Sequence, residues 1–321
     1  MSAILEVKDL KKYFKVNAGT LHAVDGVSFS INAGETLGVV GESGCGKSTL
    51  GRVVLHLLDN TGGQIIYKGE DITNVSREKL SELRREMQII FQDPFSSLNP
   101  RMTVHQIIAE PMQIAGGKSK EAINQRVTEM MDIVGLASRF ANSYPHELDG
   151  GRRQRIGIAR ALVLNPKFIV CDEPVSALDV SIQAQVLNLM LDIQEQMGLT
   201  YIFITHDLSV VKYISNDILV MYLGQMVEKA PSDELFKNRY HPYTKALISA
   251  VPIPDIDHRR ERIQLKGELT SPINPKPGCR FASRCRYARP ECFSQEPALR
   301  EVAPNHFVRC HYVEEINAIQ K

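Results

Sequence analysis

Eight consecutive residues have the spacing G-x-x-x-x-G-K-[ST], and Thr49 follows them; the eight are Gly41, Glu42, Ser43, Gly44, Cys45, Gly46, Lys47 and Ser48. We call residues 41–49 the glycine loop. Glycines let such a loop curl until successive backbone N–H groups point at phosphate oxygens. A helix that begins at Lys47 adds its positive dipole end, the lysine reaches the β- and γ-phosphates, and the Ser48 hydroxyl binds Mg²⁺. The pattern therefore predicts binding of ATP with Mg²⁺, and at Cys45 only the backbone N–H is expected to contribute.

A pair of carboxylates follows a second apolar run, in the sequence FIVCDEP. Asp172 at the end of a buried strand can bind Mg²⁺ through water, and Glu173 can orient or deprotonate the attacking water. A lone Asp-Glu pair after a strand is more often structural. A catalytic role for this pair is indicated only by the other motifs that occur with it in the sequence.

Short apolar runs alternate with helical patterns along most of the chain. The candidate buried strands are residues 36–40, 168–171, 200–205 and 217–222, and helical patterns follow Lys47 and cover 120–134 and 181–196. Apolar runs of this length, separated by amphipathic stretches, are typical of βαβ units. The sequence therefore predicts an α/β fold with a mainly parallel sheet and helices on both faces.

The pattern changes at two places. Prolines and a Gly-Gly pair interrupt residues 93–165, which predicts a helical insertion subdomain within a main domain of residues 1–235. Residues 236–321 form a predicted C-terminal extension. It contains a mostly extended linker with five prolines between 252 and 278, followed by a small module with four cysteines.

Composition narrows the class of protein. The chain has 321 residues, 43% of them apolar, which is enough for a sizeable core. A net charge of +1 argues against a protein that binds nucleic acid mainly through phosphate contacts. No apolar run approaches the length of a membrane span, and the charged first residues lack a signal core. We expect a cytosolic protein unless a partner holds it at a membrane.

Further motifs occur in the order and approximate spacing of the ATP-binding cassette (ABC) ATPases, a family of P-loop NTPases. They are Gln92, the segment Leu148 to Arg152, Ser176 to Asp179, and His206. The chain resembles that family over roughly residues 4–235. The resemblance implies that Gln92 senses the metal and the γ-phosphate, that His206 is the switch histidine, and that Asp179 belongs to a loop that crosses to a partner subunit. Phe14, or its neighbour Tyr13, resembles the aromatic residue that stacks on adenine.

The resemblance also implies a dimer in which each ATP lies between one subunit's glycine loop and the other's signature segment. Here the signature is Leu148, Asp149, Gly150, Gly151 and Arg152, where the family pattern is Leu-Ser-Gly-Gly-Gln. An ionised Asp149 cannot donate a hydrogen bond to phosphate and repels it. One hypothesis is that the site using this signature hydrolyses ATP poorly. The alternative is that Asp149 turns away, pairs with Arg152 or Arg153, and changes little.

Two segments resemble one branch of the family, the dipeptide, oligopeptide and nickel importers. They are residues 92–101 (QDPFSSLNPR) and residues 241–247 (HPYTKAL), the second followed by the Pro-rich and Cys-rich extension. Within that branch the chain is similar to the second of two paralogous ATPases (DppF/OppF type). The expected partners are a DppD/OppD-like ATPase, two membrane permeases and, indirectly, an extracytoplasmic solute-binding protein. Residues just after Gln92 are expected to contact a permease, which places the protein peripherally at the cytoplasmic face of the membrane.

Four late cysteines have the spacing C-x₅-C-x₆-C-x₁₇-C; they are Cys279, Cys285, Cys292 and Cys310. Structural zinc sites usually use closer pairs, and the spacing differs from both common ferredoxin patterns. Some ATPases similar to this chain carry a [4Fe–4S] cluster, so four thiolates with such a cluster are the first expectation. Arg280, Arg284, Arg286 and Arg289 would balance its negative charge. Zinc, and free thiols or disulfides, stay open, with His306 and His311 as alternative ligands or, more simply, surface histidines.

Two other readings of the function stay open beside the peptide importer. An importer ATPase of the same branch could serve nickel or another small solute, because the subunit does not contact the solute. A soluble ABC ATPase acting on nucleic acid or ribosomes fits less well, since one cassette, no sustained heptads and near-zero charge are untypical of that group.

Overall fold

The computed structural model describes residues 3–251, 262–265, 267 and 271–318. Within them the strands are β1 Ala3–Val16, β2 Gly19–Asn32, β3 Thr36–Val40, β4 Gly62–Tyr67, β5 Glu70–Asp71, β6 Met87–Ile90, β7 Phe168–Asp172, β8 Thr200–Ile204, β9 Asp217–Tyr222, β10 Gln225–Pro231, β11 Leu299–Ala303 and β12 His306–Arg309.

The helices over the same residues are α1 Lys47–Val54, α2 Arg77–Glu86, α3 Pro94–Ser97, α4 Val104–Ala115, α5 Lys120–Ile133, α6 Gly150–Leu162, α7 Val180–Met197, α8 Leu208–Ile214, α9 Ser232–Lys237, α10 Pro242–Ser249 and α11 Val313–Ala318. Single 3₁₀ turns cover Ser138–Phe140, Pro145–Glu147, Ala282–Arg284 and Pro290–Phe293.

The chain divides into two compact units. The carboxylate unit comprises Asn32–Glu35 and Asn74–Ile204 and contains Asp172 and Glu173. The glycine-loop unit comprises Ala3–Ile31, Thr36–Thr73 and the described residues from Thr205 onward. The predicted domain boundary at residue 235 stays a prediction, because these units follow spatial contacts and interleave along the chain.

In the carboxylate unit, β6, β7 and β8 form a parallel sheet in the order β8-β7-β6. All five residues of β7 and of β8 are buried. Strands covered on both faces read as unbroken apolar runs, which is why the sequence predicted them. Helices α3 to α6 occupy most of the segment that the sequence analysis assigned to a helical insertion.

The glycine-loop unit contains two sheets. One has the order β2-β1-β4-β5, with β4 antiparallel to both β1 and β5. The other runs β11-β12-β10-β9-β3, in which only β3 and β9 are parallel. The expected mainly parallel sheet is thus found in part, because the chain adds antiparallel strands that the sequence analysis did not predict.

The C-terminal extension is built into the glycine-loop unit. Strand β12 pairs with β10, so that Val308 lies opposite Glu228. An apolar cluster joins the ATPase part to the extension, with Val220, Tyr222, Tyr243 and Phe281 among its buried members. In the predicted linker, Pro272 accepts a backbone hydrogen bond from His22, and Ile273 forms a β-bridge with Leu21. Pro252 and Pro254 lie outside the described residues.

Candidate functional site

The glycine loop connects the end of β3 to the start of α1. Its backbone has positive φ at Gly41 (153°) and at Gly46 (104°), the residue before the helix. A Cβ atom on Gly41 would lie 2.2 Å from the Met221 carbonyl oxygen, and one on Gly46 would lie 2.0 Å from that of Ala23. Both contacts are with backbone atoms that cannot move aside, so the loop needs glycine at these positions.

The lysine of the loop is hydrogen-bonded to the backbone at the start of the loop. Lys47 is buried, and its Nζ donates to the carbonyl oxygens of Gly41 at 2.8 Å and Glu42 at 3.1 Å. Cys45 is also buried, and burial raises the pKa of its thiol. An ammonium group held over a glycine-rich turn at the start of a helix is an arrangement that can bind phosphate oxygens.

The two carboxylates have different surroundings in the carboxylate unit. Asp172 is the last residue of β7 and is 2% exposed. Glu173 follows with φ of 48°, in the left-handed region, and its N–H donates to the Ile204 carbonyl at 2.9 Å. Non-glycine residues held in this region cluster at functional sites.

Gln92 and Glu173 lie together although 81 residues separate them. Gln92 Nε2 donates to Glu173 Oε2 at 3.1 Å, and the Ser176 hydroxyl donates to the Glu173 carbonyl at 3.1 Å. Parallel pairing of β6 with β7 brings the residues after both strands to one edge of the sheet. The structure thus places Gln92 on the Glu173 carboxylate and Ser176 on the Glu173 backbone.

The signature segment forms the start of α6. Leu148 is buried, and Asp149 is the N-cap residue, with Oδ1 accepting the Arg152 backbone N–H at 2.8 Å. Asp149 Oδ2 also lies 2.8 Å from Arg152 Nη1. Of the two alternatives for Asp149, the structure has the pairing with Arg152. A Cβ on Gly151 would lie 2.7 Å from the Ile182 side chain, so the helix start packs closely on α7.

Two other predicted residues lie at the starts of helices. Asp179 is the N-cap of α7 and accepts the Ile182 N–H at 3.0 Å. His206 is exposed and lies directly before Asp207, the N-cap of α8. The Asp179 cap fixes the chain's entry into α7, and the Asp207 cap does the same for α8.

The two aromatic candidates differ in their neighbours. The Tyr13 ring stacks on His22 with 4.0 Å between ring centroids, and its hydroxyl donates to Asp25. Phe14 is half-buried, with the Lys12 ammonium 5.0 Å from its ring centroid. Tyr13 already uses a ring face and its hydroxyl within the chain, which favours Phe14 as the adenine contact.

The four late cysteines line one small cavity. Cys279, Cys285, Cys292 and Cys310 surround about 20 Å³, together with His241, His311 and several apolar residues. Burial raises the pKa of Cys279 to about 12 and that of Cys310 to about 11. No group of three or more His, Cys, Asp or Glu side chains in the described part of the chain is arranged to hold a single metal ion.

The expectation that His306 is a surface residue is wrong. This histidine is fully buried in β12, and its Nε2 lies 2.7 Å from Oε1 of the fully buried Glu228. Glu228 also accepts the backbone N–H groups of Tyr240 and His241. The sequence pattern HFVR does not show this burial, because it depends on β12 pairing with β10.

Three of the four arginines in the Cys-rich module have carboxylate partners. Arg280 pairs with Asp25, Arg284 with Glu42, and Arg289 with Glu315. Sequence reasoning had assigned these charges only to balancing a cluster. It missed the two pairs that reach into the ATPase part, since 242 residues separate Arg284 from Glu42.

Over the described residues, no helix combines the length and apolar content required to cross a bilayer.

Two family models match the chain. The model of the ABC transporter family matches residues 24–176, and that of the oligopeptide/dipeptide transporter C-terminal region matches residues 227–292. The first match contains the glycine loop, the signature and both carboxylates. The second begins in β10 and includes Cys279, Cys285 and Cys292.

Similar proteins and structures agree with these matches. The chain is 55% identical over 318 residues to the oligopeptide transport ATP-binding protein AppF of Bacillus subtilis, covering 96% of this chain and 97% of that protein. It is 54% identical over 319 residues to the oligopeptide transport ATP-binding protein OppF of Salmonella typhimurium, covering 96% and 95%. The dimeric, ADP- and phosphate-bound ATP-binding cassette MJ0796 superposes with a TM-score of 0.65 at 28% identity, covering 71% of this chain and 98% of that one.

Proposed function

This chain belongs to the family of ABC transporter ATP-binding proteins of the oligopeptide type, and on that premise we propose that it binds and hydrolyses ATP to drive uptake of peptides. The observation that carries the proposal is the glycine loop. Gly41 and Gly46 are sterically required, and the buried Lys47 donates hydrogen bonds back to the loop, in a chain more than half identical to oligopeptide transport ATP-binding proteins.

Each site residue has a proposed role. Lys47 binds the β- and γ-phosphates, with the backbone N–H groups of the glycine loop, and Phe14 stacks on adenine. Ser48, Gln92 and Asp172 bind Mg²⁺ directly or through water. Glu173 acts as the general base for the attacking water, and His206 contacts the γ-phosphate.

The working unit is an assembly. A paralogous ATPase pairs with this chain, so that its signature meets this chain's nucleotide and the Leu148–Arg152 segment meets the nucleotide of the partner. Two permeases bind the pair, which holds the chain at the cytoplasmic face of the membrane. Support for a permease contact just after Gln92 comes from Phe91 and Phe95, two large apolar residues on either side of Gln92 that are 36% and 61% exposed and so available to a partner.

The test is ATP hydrolysis and peptide uptake by the complete assembly in proteoliposomes. Lys47→Ala is expected to abolish nucleotide binding by this chain, and Glu173→Gln to retain binding but stop hydrolysis. Uptake that tracks added peptides, and not nickel, supports the peptide assignment; stimulation by nickel alone would replace it with the metal-importer alternative.

A second proposal concerns the four late cysteines, which we assign to a [4Fe–4S] cluster. The donor set supports it: four thiols line one small cavity, in a segment that carries an excess of arginine. Such a cluster would tie the 3₁₀ turns of the extension to the end of β12. Zinc remains the competing occupant.

Metal analysis of anaerobically purified protein separates the two. A cluster predicts absorbance near 400 nm with about four irons and four sulfides per chain. Cys285→Ser should remove them, whereas the matched change Cys45→Ser, in the glycine loop, should not. Stoichiometric zinc without iron would refute the cluster.

A further inference from the structure

Arg284 of the Cys-rich module makes a two-pronged contact with the glycine loop. Its Nη1 lies 2.7 Å from Glu42 Oε2 and its Nη2 lies 3.1 Å from Glu42 Oε1. The arginine side chain is 9% exposed and the glutamate 27% exposed. Parallel, charge-assisted hydrogen bonds of this kind are stronger and more directional than a simple ion pair. The extension therefore fixes the side chain of the second residue of the loop.

The backbone of Glu42 is held from the same side. Its N–H donates to the Tyr243 hydroxyl at 2.9 Å. Tyr243 lies in α10, is fully buried, and packs edge-on against Tyr222 with ring centroids 4.7 Å apart. Phe281, three residues before Arg284, lies 5.2 Å from the same Tyr222 ring. The group that holds the loop is thus part of an aromatic cluster and has little freedom to move.

A second arginine of the module reaches the opposite end of the same region. Arg280 bonds both the Leu223 carbonyl and the Asp25 carboxylate. Gly224, which follows Leu223 in the chain, donates its N–H to the Cys45 carbonyl at 2.8 Å. The glycine loop is therefore in contact at Glu42 with a side chain of the extension, and at Cys45 with a residue that adjoins one bound by such a side chain.

We propose that Arg284 is a positioning residue for ATP binding, acting through Glu42. By holding Glu42, Arg284 fixes the start of the glycine loop, where the Glu42 N–H is bound by Tyr243, and so keeps the later peptide groups of the loop in the orientation that presents their N–H groups to phosphate. It also neutralises a carboxylate that would otherwise face a triphosphate as an unpaired negative charge. The inference rests on the proposed binding of ATP at the glycine loop, and it assigns the extension a direct part in nucleotide affinity.

The experiment measures binding of a fluorescent, non-hydrolysable ATP analogue with Mg²⁺ to the purified full-length chain. Arg284→Gln is expected to raise Kd about tenfold, because it removes a charge-assisted pair and exposes the Glu42 charge. Arg284→Lys keeps the charge but loses the bidentate geometry of the guanidinium, so its Kd should lie between those of wild type and Arg284→Gln. Arg289→Gln is the matched control: this arginine also pairs with a carboxylate in the module, but with Glu315, away from the loop.

The double variant Glu42→Gln/Arg284→Gln distinguishes positioning from general stability. It lacks the salt bridge but also lacks the unpaired carboxylate, so it should recover at least part of the lost affinity. A purely structural role predicts that the double variant binds no better than Arg284→Gln. Thermal unfolding without nucleotide is recorded for each variant, and Arg284→Lys carries the test if Arg284→Gln does not fold.

The outcomes distinguish a failure of the proposed nucleotide site from a failure of the proposed role of Arg284. If Lys47→Ala binds the analogue as wild type does, the proposed nucleotide site itself is wrong. If Lys47→Ala loses binding while Arg284→Gln and Arg284→Lys match Arg289→Gln, the site stands and the role of Arg284 is overturned. Weaker binding in Arg284→Gln with recovery in the double variant supports the inference.

Discussion

Asp149 and Arg152 are bound to each other across the first turn of α6. One carboxylate oxygen caps the helix through the Arg152 N–H, and the other lies 2.8 Å from the Arg152 guanidinium. The pair replaces the serine and glutamine of the family pattern. Because the arginine neutralises the carboxylate, the signature start does not present a bare negative charge to a nucleotide.

This pairing predicts how the signature responds to substitution. Asp149→Ser keeps a helix-capping oxygen, so ATPase activity of the assembled complex should change by less than about twofold. Arg152→Ala leaves the carboxylate unpaired and should lower activity by more than Asp149→Ser does. Steady-state phosphate release from complexes carrying each variant provides the measurement. A severalfold rise in activity with Asp149→Ser would instead support the hypothesis that the site using this signature is impaired.

The contact between Gln92 and Glu173 leads to a second prediction. With Glu173 as the general base, Glu173→Gln should reduce hydrolysis by about 10²–10⁴-fold while nucleotide stays bound. Gln92→Ala removes the group that orients Glu173 and should reduce hydrolysis less. Single-turnover hydrolysis and filter retention of labelled ATP report the two effects. Normal turnover in Glu173→Gln would rule out the assigned role.

Phe95 offers a test of the permease contact. Its ring is 61% exposed, and a buried apolar anchor at an interface commonly contributes more than 1 kcal/mol, so Phe95→Ser should weaken co-purification with the permeases about tenfold. Tyr213→Ser is the control, since that ring is 59% exposed but lies in α8 of the glycine-loop unit. Equal recovery of permeases with both variants would mean that Phe95 is not at the contact.

Stability should fall in mild acid because of His241. This residue caps α10 from a fully buried position, and burial lowers its pKa from 6.5 to about 4. Between those values the unfolded chain binds a proton that the folded chain does not, so stability is present above pH 6.5 and lost as the pH falls towards 4. From pH 7 to pH 5 the loss from this group is about 2 kcal/mol.

Urea unfolding at several pH values measures this effect. His241→Asn keeps a capping side chain without a titrating group, so its stability should depend less on pH over the same range. His105→Asn serves as the control for histidine replacement, because His105 lies on α4 in the carboxylate unit and its ring is not fully buried. Parallel pH curves for wild type and His241→Asn would contradict the assignment.

The sequence by itself determined the chemistry and the elements that carry it. Residues 36–40 and 217–222 were predicted as strands with the bounds that the structure shows, because unbroken apolar runs between glycine, proline or charged residues leave few alternatives. The spacing of the glycine loop predicted the phosphate-binding role of Lys47 and the Mg²⁺-binding role of Ser48, because that motif assigns each position by local geometry alone. The sheet of β1, β2, β4 and β5 was missed, although only two residues separate β1 from β2 and β4 from β5, a spacing typical of hairpins. The pairing of β1 with β4 joins segments that are far apart in the sequence, and no local pattern predicts it.

Only the three-dimensional structure decided which side chains contact each other, one pair within a helix turn and two pairs far apart in the sequence. Asp149 could have faced a nucleotide or a neighbouring arginine, and helix capping placed it on Arg152. The sequence predicted His306 as a surface residue, whereas the pairing of β12 with β10 buries it against Glu228. The sequence predicted Arg284 only as one of several positive charges, whereas in the structure it is paired with Glu42 beside the aromatic cluster. Sequence patterns record periodicity over a few turns, whereas these contacts depend on packing between residues 78 or more positions apart in two of the three cases.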